Sequence, residues 1–330
     1  MRLCYGAEND PLSSMLPSPA TAPVALSIVS TLYHSAGFLP RFVDECRAAL
    51  KAAGIADYEI VFVNDGSPDD SAAWVLEARA QDPRIKLVDL SRNFGHHRAA
   101  LAGLTYARGE RVFLIDCDLE VSPGELPRML ALMADTRADV VYGVQEMRKG
   151  GAVERLGGSL FWRLFNRLSD TKVPENVLTE RVMSRRYVDA LLALGDRNIF
   201  LAGMMYWAGF SQVAMPIAKR QREGRSTYNF TRRFALLVEA VTSFSALPLR
   251  LTLGTGLVFT AISALFAAEL IVRKLLHPET VLLGFTSLMI VILAVGGVII
   301  TLMGVLGIYV SKLFVQAQGR PAFIVRDYQG

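Results

Sequence analysis

Cysteine and histidine are scarce in this sequence, and their spacing excludes two common kinds of site. The three cysteines, Cys4, Cys46 and Cys117, are an odd number without paired spacing, so neither a disulfide framework nor a zinc knuckle is indicated. Four histidines occur, and the adjacent His96 and His97 would point to opposite faces of an extended segment, which disfavours a histidine-based metal site. We therefore expect a protein of a reducing compartment.

The first 22 residues lack the basic start and the continuous apolar stretch of a signal peptide. We expect residues 1–22 to form a poorly ordered tail and the following domain to stay in the cytoplasm. A strong charge excess is also missing, since 35 basic and 31 acidic residues give a net charge of +4. This excess is too small to indicate a nucleic-acid binder, but it suits a protein that lies against anionic lipid headgroups.

Charged residues are almost absent from two stretches near the end of the chain. Residues 251–272 carry only Glu269, and residues 281–311 carry no charged side chain. Because about 20 apolar residues cross the hydrocarbon core as a helix, both stretches are predicted to span a membrane. With 52% hydrophobic residues in the whole chain, a purely soluble protein is excluded.

Basic residues flank these two stretches unequally. Arg250 precedes the first stretch and Lys312, Arg320 and Arg326 follow the second, whereas the short connection carries Arg273 and Lys274. The excess predicts that both termini lie in the cytoplasm, in a multi-pass protein of the inner (cytoplasmic) membrane. Residues 230–250 mix cations with large apolar side chains, which predicts an amphipathic juxtamembrane helix.

From residue 24 to residue 144, short β-branched runs alternate with longer helical patterns. This alternation is typical of an α/β fold in which helices cover a mostly parallel sheet. In such a sheet ligands bind at the carboxyl ends of the strands, so the functional residues are expected directly after them. The predicted strands are residues 24–31, 59–64, 86–90, 112–116 and 139–144, and the predicted helices are residues 38–53, 71–81, 98–107 and 124–136.

Three acidic residues follow the predicted strand at 112–116. Alternate side chains of an extended backbone share a face, so Asp116, Asp118 and Glu120 could converge on one hard divalent cation. Mg²⁺ or Mn²⁺ in such a site keeps open positions for phosphate oxygens, which would make it a diphosphate site. The alternative is a solvated acidic turn that caps the next helix.

A second acidic turn, Asn-Asp-Gly-Ser at residues 64–67, follows another predicted strand. Gly66 permits a tight turn, and Asp65 can accept a hydrogen bond from a nucleotide base. An ordinary turn with a helix N-cap would use the same residues. Residues 91–96 are expected to form a loop near the nucleotide, with structural packing as the alternative. Two acidic turns at the ends of two strands favour a nucleotide-binding site, with the base of the nucleotide at one turn and its diphosphate at the other.

Two segments beyond the alternating region are rich in cations. Arg148 and Arg163 lie in a glycine-containing segment that could clamp a phosphate, and residues 219–228 form a second basic run. A solvated amphipathic helix explains the first segment equally well. For the second, a membrane-surface patch is the alternative, and the two interpretations are compatible.

In order and spacing, these motifs resemble family 2 glycosyltransferases of the polyprenyl-phosphate sugar synthase type, similar to dolichyl-phosphate mannose synthases and bactoprenol glucosyltransferases. The resemblance extends from Leu26 to the end of the chain. The motifs that carry it are residues 63–67, 90–96, 116–120, 181–186, 224–228 and 319–321.

The resemblance implies a GT-A (Rossmann-like) catalytic domain at residues 23–229. It also implies a juxtamembrane helix at 230–250, two transmembrane helices at 251–311 and a cytoplasmic tail at 312–330. The implied partners are a nucleotide-sugar donor, a polyprenyl phosphate acceptor and Mg²⁺ or Mn²⁺. The implied site residues are Tyr33, Asp65, Arg92 and Asp116 for the donor, Asp116, Asp118 and Glu120 for the metal, Asp118, Arg148 and Arg163 for catalysis, and Arg148, Arg163, Arg222 and Ser226 for the acceptor phosphate.

The sequence departs from this family at the residues that would act as a general base. Asn176 and Thr179 replace the usual aspartates, and Glu120 replaces a frequent glutamine. A hydroxyl acceptor would need a base, whereas a phosphate monoester is already anionic at neutral pH. The departure therefore favours inverting transfer to a lipid phosphate such as undecaprenyl phosphate, for cell-surface glycans. UDP is the expected nucleotide, with GDP and dTDP still open.

Two other functions stay open from the sequence. One is transfer to a saccharide hydroxyl, and the other is a non-catalytic membrane scaffold, which the intact Asp116 and Asp118 disfavour. Association of copies into a homo-oligomer is also open.

Overall fold

A computed structural model of the protein describes residues 23–145, 174, 176–220, 247–276 and 285–330. The described chain belongs to two compact units. The first is an α/β unit that contains the described residues up to 220 together with residues 319–330. The second is a helical unit that contains residues 247–276 and 285–318.

One mixed sheet forms the centre of the α/β unit. Its strands are β1 (Leu26–Leu32), β2 (Tyr58–Asn64), β3 (Ile85–Leu90), β4 (Arg111–Leu114), β5 (Val140–Gln145), β6 (Val177–Ser184), β7 (Gln212–Ile217) and β8 (Val325–Gln329). Their order across the sheet is β7-β5-β6-β4-β1-β2-β3-β8. Only β6 and β8 run antiparallel to their neighbours among the described strands. The predicted mostly parallel α/β sheet is therefore confirmed.

Helices cover the sheet, which explains the composition of its central strands. Every residue of β2 is buried, and β1 is buried except for the half-buried Thr31, so apolar residues occur on both faces of these strands and do not alternate with exposed polar ones. The helices are α1 (Leu39–Ala52), α2 (Ser71–Gln81), α3 (His96–Tyr106), α4 (Leu126–Thr136), α5 (Arg185–Leu192) and α6 (Leu201–Trp207).

The predicted elements up to residue 144 are confirmed, with each boundary within two residues of the observed one. The later elements of the α/β unit, β6, β7, β8, α5 and α6, were not predicted. β7 contains Pro216, which argues against a strand in the sequence, and it lies at a lateral edge of the sheet, where a proline is tolerated.

The end of the chain is part of the sheet rather than a separate tail at 312–330. Strand β8 pairs antiparallel with β3, and the backbone N–H of Ser91 donates to the carbonyl oxygen of Ile324 at 2.9 Å. Arg326 Nε donates to Asp89 Oδ2 at 2.8 Å. The mostly polar sequence of β8 gives no strand pattern, because an edge strand buries little apolar surface.

The helical unit contains α7 (Leu247–Leu276) and α8 (Phe285–Ala317). Among the described residues, one stretch is long and apolar enough to cross a membrane: Val295–Ala317, 23 residues with a mean hydropathy of 2.2. The predicted two-helix hairpin is therefore not confirmed, although both helices exist. Most of the predicted juxtamembrane helix, residues 230–246, lies outside the described residues.

A cluster of buried charged side chains lies at the amino-terminal ends of the central parallel strands, near the start of β2. Glu59 is 1% exposed, and its carboxylate accepts hydrogen bonds from Ser27 Oγ at 2.6 Å and from the Arg108 backbone N–H at 2.6 Å. Lys86 Nζ lies 2.7 Å from Glu59 Oε2. Burial alone would raise the pKa of Glu59, but Lys86, Ser27 and Arg108 together hold it below its usual value. Glu59 is thus a charged carboxylate whose burial depends on its partners.

We expect Lys86→Met to destabilise the protein by about 2–3 kcal/mol, because Glu59 loses a charged hydrogen-bond partner and keeps only the Arg108 guanidinium, at 3.1 Å, as its cation. The measurement is the free energy of unfolding of the detergent-solubilised chain in denaturant. The matched control is Arg128→Met, which removes an ion pair with Glu125 whose arginine side chain is 63% exposed. This control should cost at most about 1 kcal/mol. Equal losses in the two variants would contradict the account of Glu59.

Candidate functional site

The carboxyl ends of the parallel strands lie along one end of the sheet, which we call the carboxyl edge. The predicted site residues follow these strands. Tyr33 follows β1, Asp65 follows β2, Arg92 follows β3 and Asp116 follows β4. Lys219 lies two residues beyond β7. It is at the same carboxyl edge because β7 runs parallel to β5. The parallel register therefore gathers residues that are far apart in the sequence.

Asp65 organises the loop that follows β3. Its carboxylate is buried, with Oδ1 accepting the Phe94 N–H at 2.6 Å and Oδ2 accepting the Gly95 N–H at 3.0 Å. Burial outweighs these bonds and raises the pKa of Asp65. The guanidinium of Arg92 lies 4.2 Å from the centre of the Phe94 ring. Asp65 thus holds the predicted nucleotide loop in place, and its contact with a base stays a prediction.

Gly66 allows this loop to lie directly on the turn after β2. Its φ is +63°, and a Cβ at this position would lie 2.6 Å from the Asn93 nitrogen and 2.8 Å from the Arg92 carbonyl carbon. Both atoms belong to the backbone and cannot rotate away. Only glycine fits here, for conformational and for steric reasons.

Tyr33 presents its ring at the same edge. The side chain is 52% exposed, and its ring centre lies 4.7 Å from that of His34. The backbone N–H of His34 donates to Ser67 Oγ at 2.8 Å, which ties the turn after β1 to the turn after β2. Tyr33 therefore offers an aromatic surface beside the loop that Asp65 holds.

The acidic turn after β4 differs from its prediction in one respect. The backbone does not stay extended, because Leu119 has a φ of +59° and the Glu120 N–H donates to Asp118 Oδ1 at 3.0 Å. Glu120 instead places its Oε2 2.8 Å from Lys219 Nζ. In the part of the chain that the structure describes, no three His, Cys, Asp or Glu residues are placed to hold a metal ion. The three carboxylates do not converge in this structure, and metal binding by Asp116, Asp118 and Glu120 stays a prediction.

His96 lies between β1 and the acidic turn. As the first residue of α3, it places Nδ1 3.0 Å from Thr31 Oγ1 and Nε2 3.8 Å from Asp116 Oδ1. Burial lowers the pKa of His96, in spite of the negative charges of Asp65 and Asp118. The imidazole is therefore neutral at pH 7 and can orient Asp116 without neutralising it.

Sequence analysis missed two further charged residues of this site, Glu180 and Lys219. Glu180 lies on β6, next to Arg181, which pairs with Leu114 at the end of β4. It is 2% exposed, and its Oε2 has no hydrogen-bond partner among the described residues. The adjacent charges of Glu180 and Arg181 within the strand were the available signal for Glu180. Lys219 gave no comparable signal, because it begins a run of basic residues.

Burial and neighbouring carboxylates raise the pKa of Asp116 and of Glu180. Burial and the charge of Asp118 raise the pKa of Asp116 to about 6, although Lys219 and a hydrogen bond from Thr179 act in the opposite direction. Burial and the charge of Asp116 raise the pKa of Glu180 to about 7. Such crowding of like charges fits a divalent cation held by Asp116 and Asp118, which would offset the repulsion.

The predicted acceptor-phosphate contacts, Arg148, Arg163, Arg222 and Ser226, lie outside the described residues. Their roles therefore stay predictions. What the structure brings together is the donor side of the predicted site: Tyr33, Asp65, Arg92, Asp116 and Asp118, with His96, Glu180 and Lys219 in addition.

Comparison with known proteins agrees with this geometry. The profile of the family described as "Glycosyl transferase family 2" matches residues 27–192. A protein of Mycobacterium tuberculosis (strain CDC 1551 / Oshkosh) named "Putative glycosyltransferases" is 39% identical over 92% of this chain and 88% of its own length. The "Bactoprenol glucosyl transferase" of Shigella phage SfV is 32% identical over 92% of this chain and 98% of its own length.

One similar solved structure is the mannosyltransferase PcManGT from Pyrobaculum calidifontis in complex with GDP-Man and Mn²⁺, with 17% identity and a TM-score of 0.47 over 68% of this chain and 64% of that one. The family assignment comes instead from the profile, which matches half of the chain, and from the relative that is 39% identical over nearly all of it. On these grounds the chain belongs to glycosyl transferase family 2, and it is a glycosyltransferase of the type that its motifs indicated.

Proposed function

We propose that this glycosyltransferase moves a sugar from a nucleotide sugar, UDP-linked by expectation, to the phosphate of a membrane polyprenyl phosphate. The observation that carries the proposal is the similarity to bactoprenol glucosyl transferases over 92% of this chain and 98% of theirs. That alignment is too long to be confined to the catalytic unit, so it includes the hydrophobic helices. Undecaprenyl phosphate is the proposed acceptor, and the product would serve cell-surface glycan assembly or modification.

The donor side of the proposal rests on the residues at the carboxyl edge. The exposed ring of Tyr33 and the loop held by Asp65 form a surface that can receive the nucleoside, with Arg92 beside it. Asp116 and Asp118 would hold Mg²⁺ or Mn²⁺, which supplies charge neutralisation of the leaving diphosphate when it is bound. Neutral His96 lies beside Asp116 in this arrangement, with Nε2 3.8 Å from Asp116 Oδ1.

The acceptor side follows from the charge of a phosphate monoester. One of its anionic oxygens attacks C1 of the sugar, the bond between C1 and the diphosphate oxygen breaks, and the nucleoside diphosphate leaves with the electron pair. No proton has to be removed from the acceptor, so no strong base is needed. In-line displacement inverts the anomeric centre, and positioning of the two reactants supplies much of the acceleration.

The chain path supports an even number of membrane crossings. The α/β unit contains residues up to 220 and also β8, so both sides of the helical segment belong to one folded unit on one side of the membrane. If the candidate span Val295–Ala317 crosses the bilayer, the chain must cross a second time. Helix α7 has 30 residues and spans about 45 Å, which is long enough. We therefore propose two spans, with both termini in the cytoplasm.

Glu180 favours a second candidate function, transfer to a saccharide hydroxyl. That reaction needs a proton acceptor, which Asn176 and Thr179 do not provide, but the buried carboxylate of Glu180 has a pKa raised to about 7 and faces Asp116. A carboxylate with such a pKa is suited to general base catalysis. The two functions differ in the product that they form.

The acceptor is tested by incubating membranes that contain the protein with labelled nucleotide sugar and a short polyprenyl phosphate. We expect an organic-extractable product that releases its sugar in mild acid, because a sugar 1-phosphodiester is acid-labile. Membranes without the protein are the control. Label that appears only on water-soluble glycans would establish the hydroxyl acceptor instead.

We expect Asp118→Asn to lower turnover at least about 100-fold, because the amide is a weaker ligand for a divalent cation and removes one negative charge. Turnover of purified protein at saturating Mn²⁺ is the measurement, with circular dichroism as the check on folding. Asp135→Asn, at an exposed position on α4, is the matched control and should retain full activity. Full activity of Asp118→Asn would remove the metal from the proposal.

We expect Gly66→Ala to weaken UDP binding at least about tenfold, since a methyl group would displace the Arg92–Asn93 backbone. The control is Gly54→Ala, which has a similar φ of +67° but no atom within 4 Å of the added Cβ. Gly54→Ala should lose about 1–2 kcal/mol of stability from backbone strain, and Gly66→Ala should lose more because its methyl group also meets the Arg92–Asn93 backbone. Calorimetric titration with UDP should separate them, and equal UDP affinities would contradict the role of this turn.

A further inference from the structure

The last strand of the chain, β8, pairs with β3 directly before the predicted nucleotide loop at residues 91–96. Val325 is the register partner of Leu90, the last residue of β3. The backbone N–H of Ser91, the first residue of the loop, donates to the carbonyl oxygen of Ile324 at 2.9 Å. The segment that follows α8 therefore supports this loop at its first residue.

A series of side-chain hydrogen bonds, which we call the β8 relay, runs from β8 across β3 to the turn after β2. Arg326 Nε donates to Asp89 Oδ2 at 2.8 Å, and Oδ1 of the same carboxylate accepts from Asn64 Nδ2 at 2.7 Å. The amide oxygen of Asn64 accepts the backbone N–H of Ser67 at 3.0 Å. Because both ends of this amide are used, the relay fixes the orientation of Asn64 at the turn of residues 64–67.

The inner residues of the β8 relay are shielded from water, whereas its outer residue is not. Asn64 and Asp89 are register partners on the parallel strands β2 and β3, so their side chains lie beside each other on one face of the sheet. Asn64 is 3% exposed and the Asp89 side chain 17%, but the Arg326 side chain is 59% exposed. Arg326 thus holds the solvent-facing oxygen of a carboxylate whose other oxygen holds Asn64.

The turn after β2 and the loop after β3 contact each other, so a shift of one displaces the other. Gly66 lies against the backbone of residues 92–93, and Asp65 accepts the backbone N–H groups of Phe94 and Gly95. The C-terminal segment supports this pair of loops at two points, by a backbone hydrogen bond at the start of the loop and by the β8 relay at the turn.

We propose that Arg326 is a positioning residue for the donor nucleotide, which acts through Asp89 and Asn64 to hold the turn after β2 in its binding geometry. The inference rests on the proposed function, because it assumes that the nucleotide binds at this turn. A turn that is already held loses less conformational freedom on binding, which increases affinity. Arg326 should therefore increase donor affinity and leave the rate of the chemical step unchanged.

The test is calorimetric titration of the full-length protein in detergent with UDP in the presence of Mn²⁺. We expect Arg326→Met to weaken UDP binding about three- to tenfold, a moderate loss because an exposed ion pair is weak. The KM for the donor should rise by a similar factor while kcat stays unchanged. Arg326→Lys keeps a cation that can donate to Asp89 and should bind UDP within about twofold of the wild type.

Arg79→Met is the matched control, because Arg79 also holds β8 but contacts a different part of it. Arg79 Nε donates to the carbonyl oxygen of Gln329 at 3.0 Å, and its Nη2 donates to that of Gly330 at 3.1 Å. Gln329 pairs with Leu87, so these bonds lie farther from the loop than Arg326 does. Arg79→Met should bind UDP like the wild type. Equal losses in Arg79→Met and Arg326→Met would indicate a general loosening of β8 and overturn the proposal.

A double-mutant cycle tests the route through Asp89. Asp89→Ala removes both hydrogen bonds of this carboxylate, so adding Arg326→Met to it should weaken UDP binding no further. Losses that add in full would mean that Arg326 acts by another route, and the β8 relay would be refuted. Thermal unfolding verifies that each variant is folded, and Arg326→Gln or Asp89→Asn replaces a variant that does not fold.

The outcomes distinguish this inference from the proposed function. An unchanged UDP affinity in folded Arg326→Met would overturn the role of Arg326 and leave the glycosyltransfer proposal intact. If UDP, GDP and dTDP all fail to bind to the wild type, the nucleotide site on which both proposals rest is overturned. Absence of lipid-linked product, with the expected loss of UDP affinity in Arg326→Met, would overturn only the acceptor.

Discussion

The repulsion between carboxylates at the carboxyl edge of the sheet is the constraint on which the site depends. Parallel strands bring Asp116 and Asp118 to this edge, and the antiparallel β6 adds the buried Glu180. The pKa values of Asp116 and Glu180 rise because burial and like charges disfavour ionisation. Cations must compensate them, and the fold supplies one as Lys219. A divalent metal with its diphosphate would supply the rest.

The two ends of the sheet differ in whether their buried carboxylates have all their partners within the fold. At one edge, Glu59 has its partners Lys86, Ser27 and Arg108 built into the fold, so its charge is satisfied without a ligand. At the other edge, Glu180 has an oxygen without a hydrogen-bond partner among the described residues. A buried carboxylate whose hydrogen bonds are all formed within the protein has a structural role. One that lacks a hydrogen-bond partner is typical of a site that binds a charged ligand.

Much of the fold could be predicted from the sequence, because continuous apolar runs and capped helices are local signals. Strand β8 was not predicted because it is an edge strand with a mostly polar sequence, and β7 was not predicted because it contains Pro216. In the site, Asp65 and Asp116 were predicted from their place after strands. The left-handed backbone at Leu119 breaks the alternation on which the convergence of Glu120 with the two aspartates was predicted, and Lys219 was missed because it lies 99 residues from Glu120 in the sequence.

The central claim is that the acidic turn after β4 holds a divalent metal through Asp116 and Asp118. Anomalous diffraction from crystals grown with Mn²⁺ and UDP measures this most directly. The account predicts one Mn²⁺ peak bound by oxygens of Asp116, Asp118 or both and by the diphosphate. An Mn²⁺ peak that neither aspartate contacts, or a diphosphate bound at this end of the sheet without metal, would contradict it.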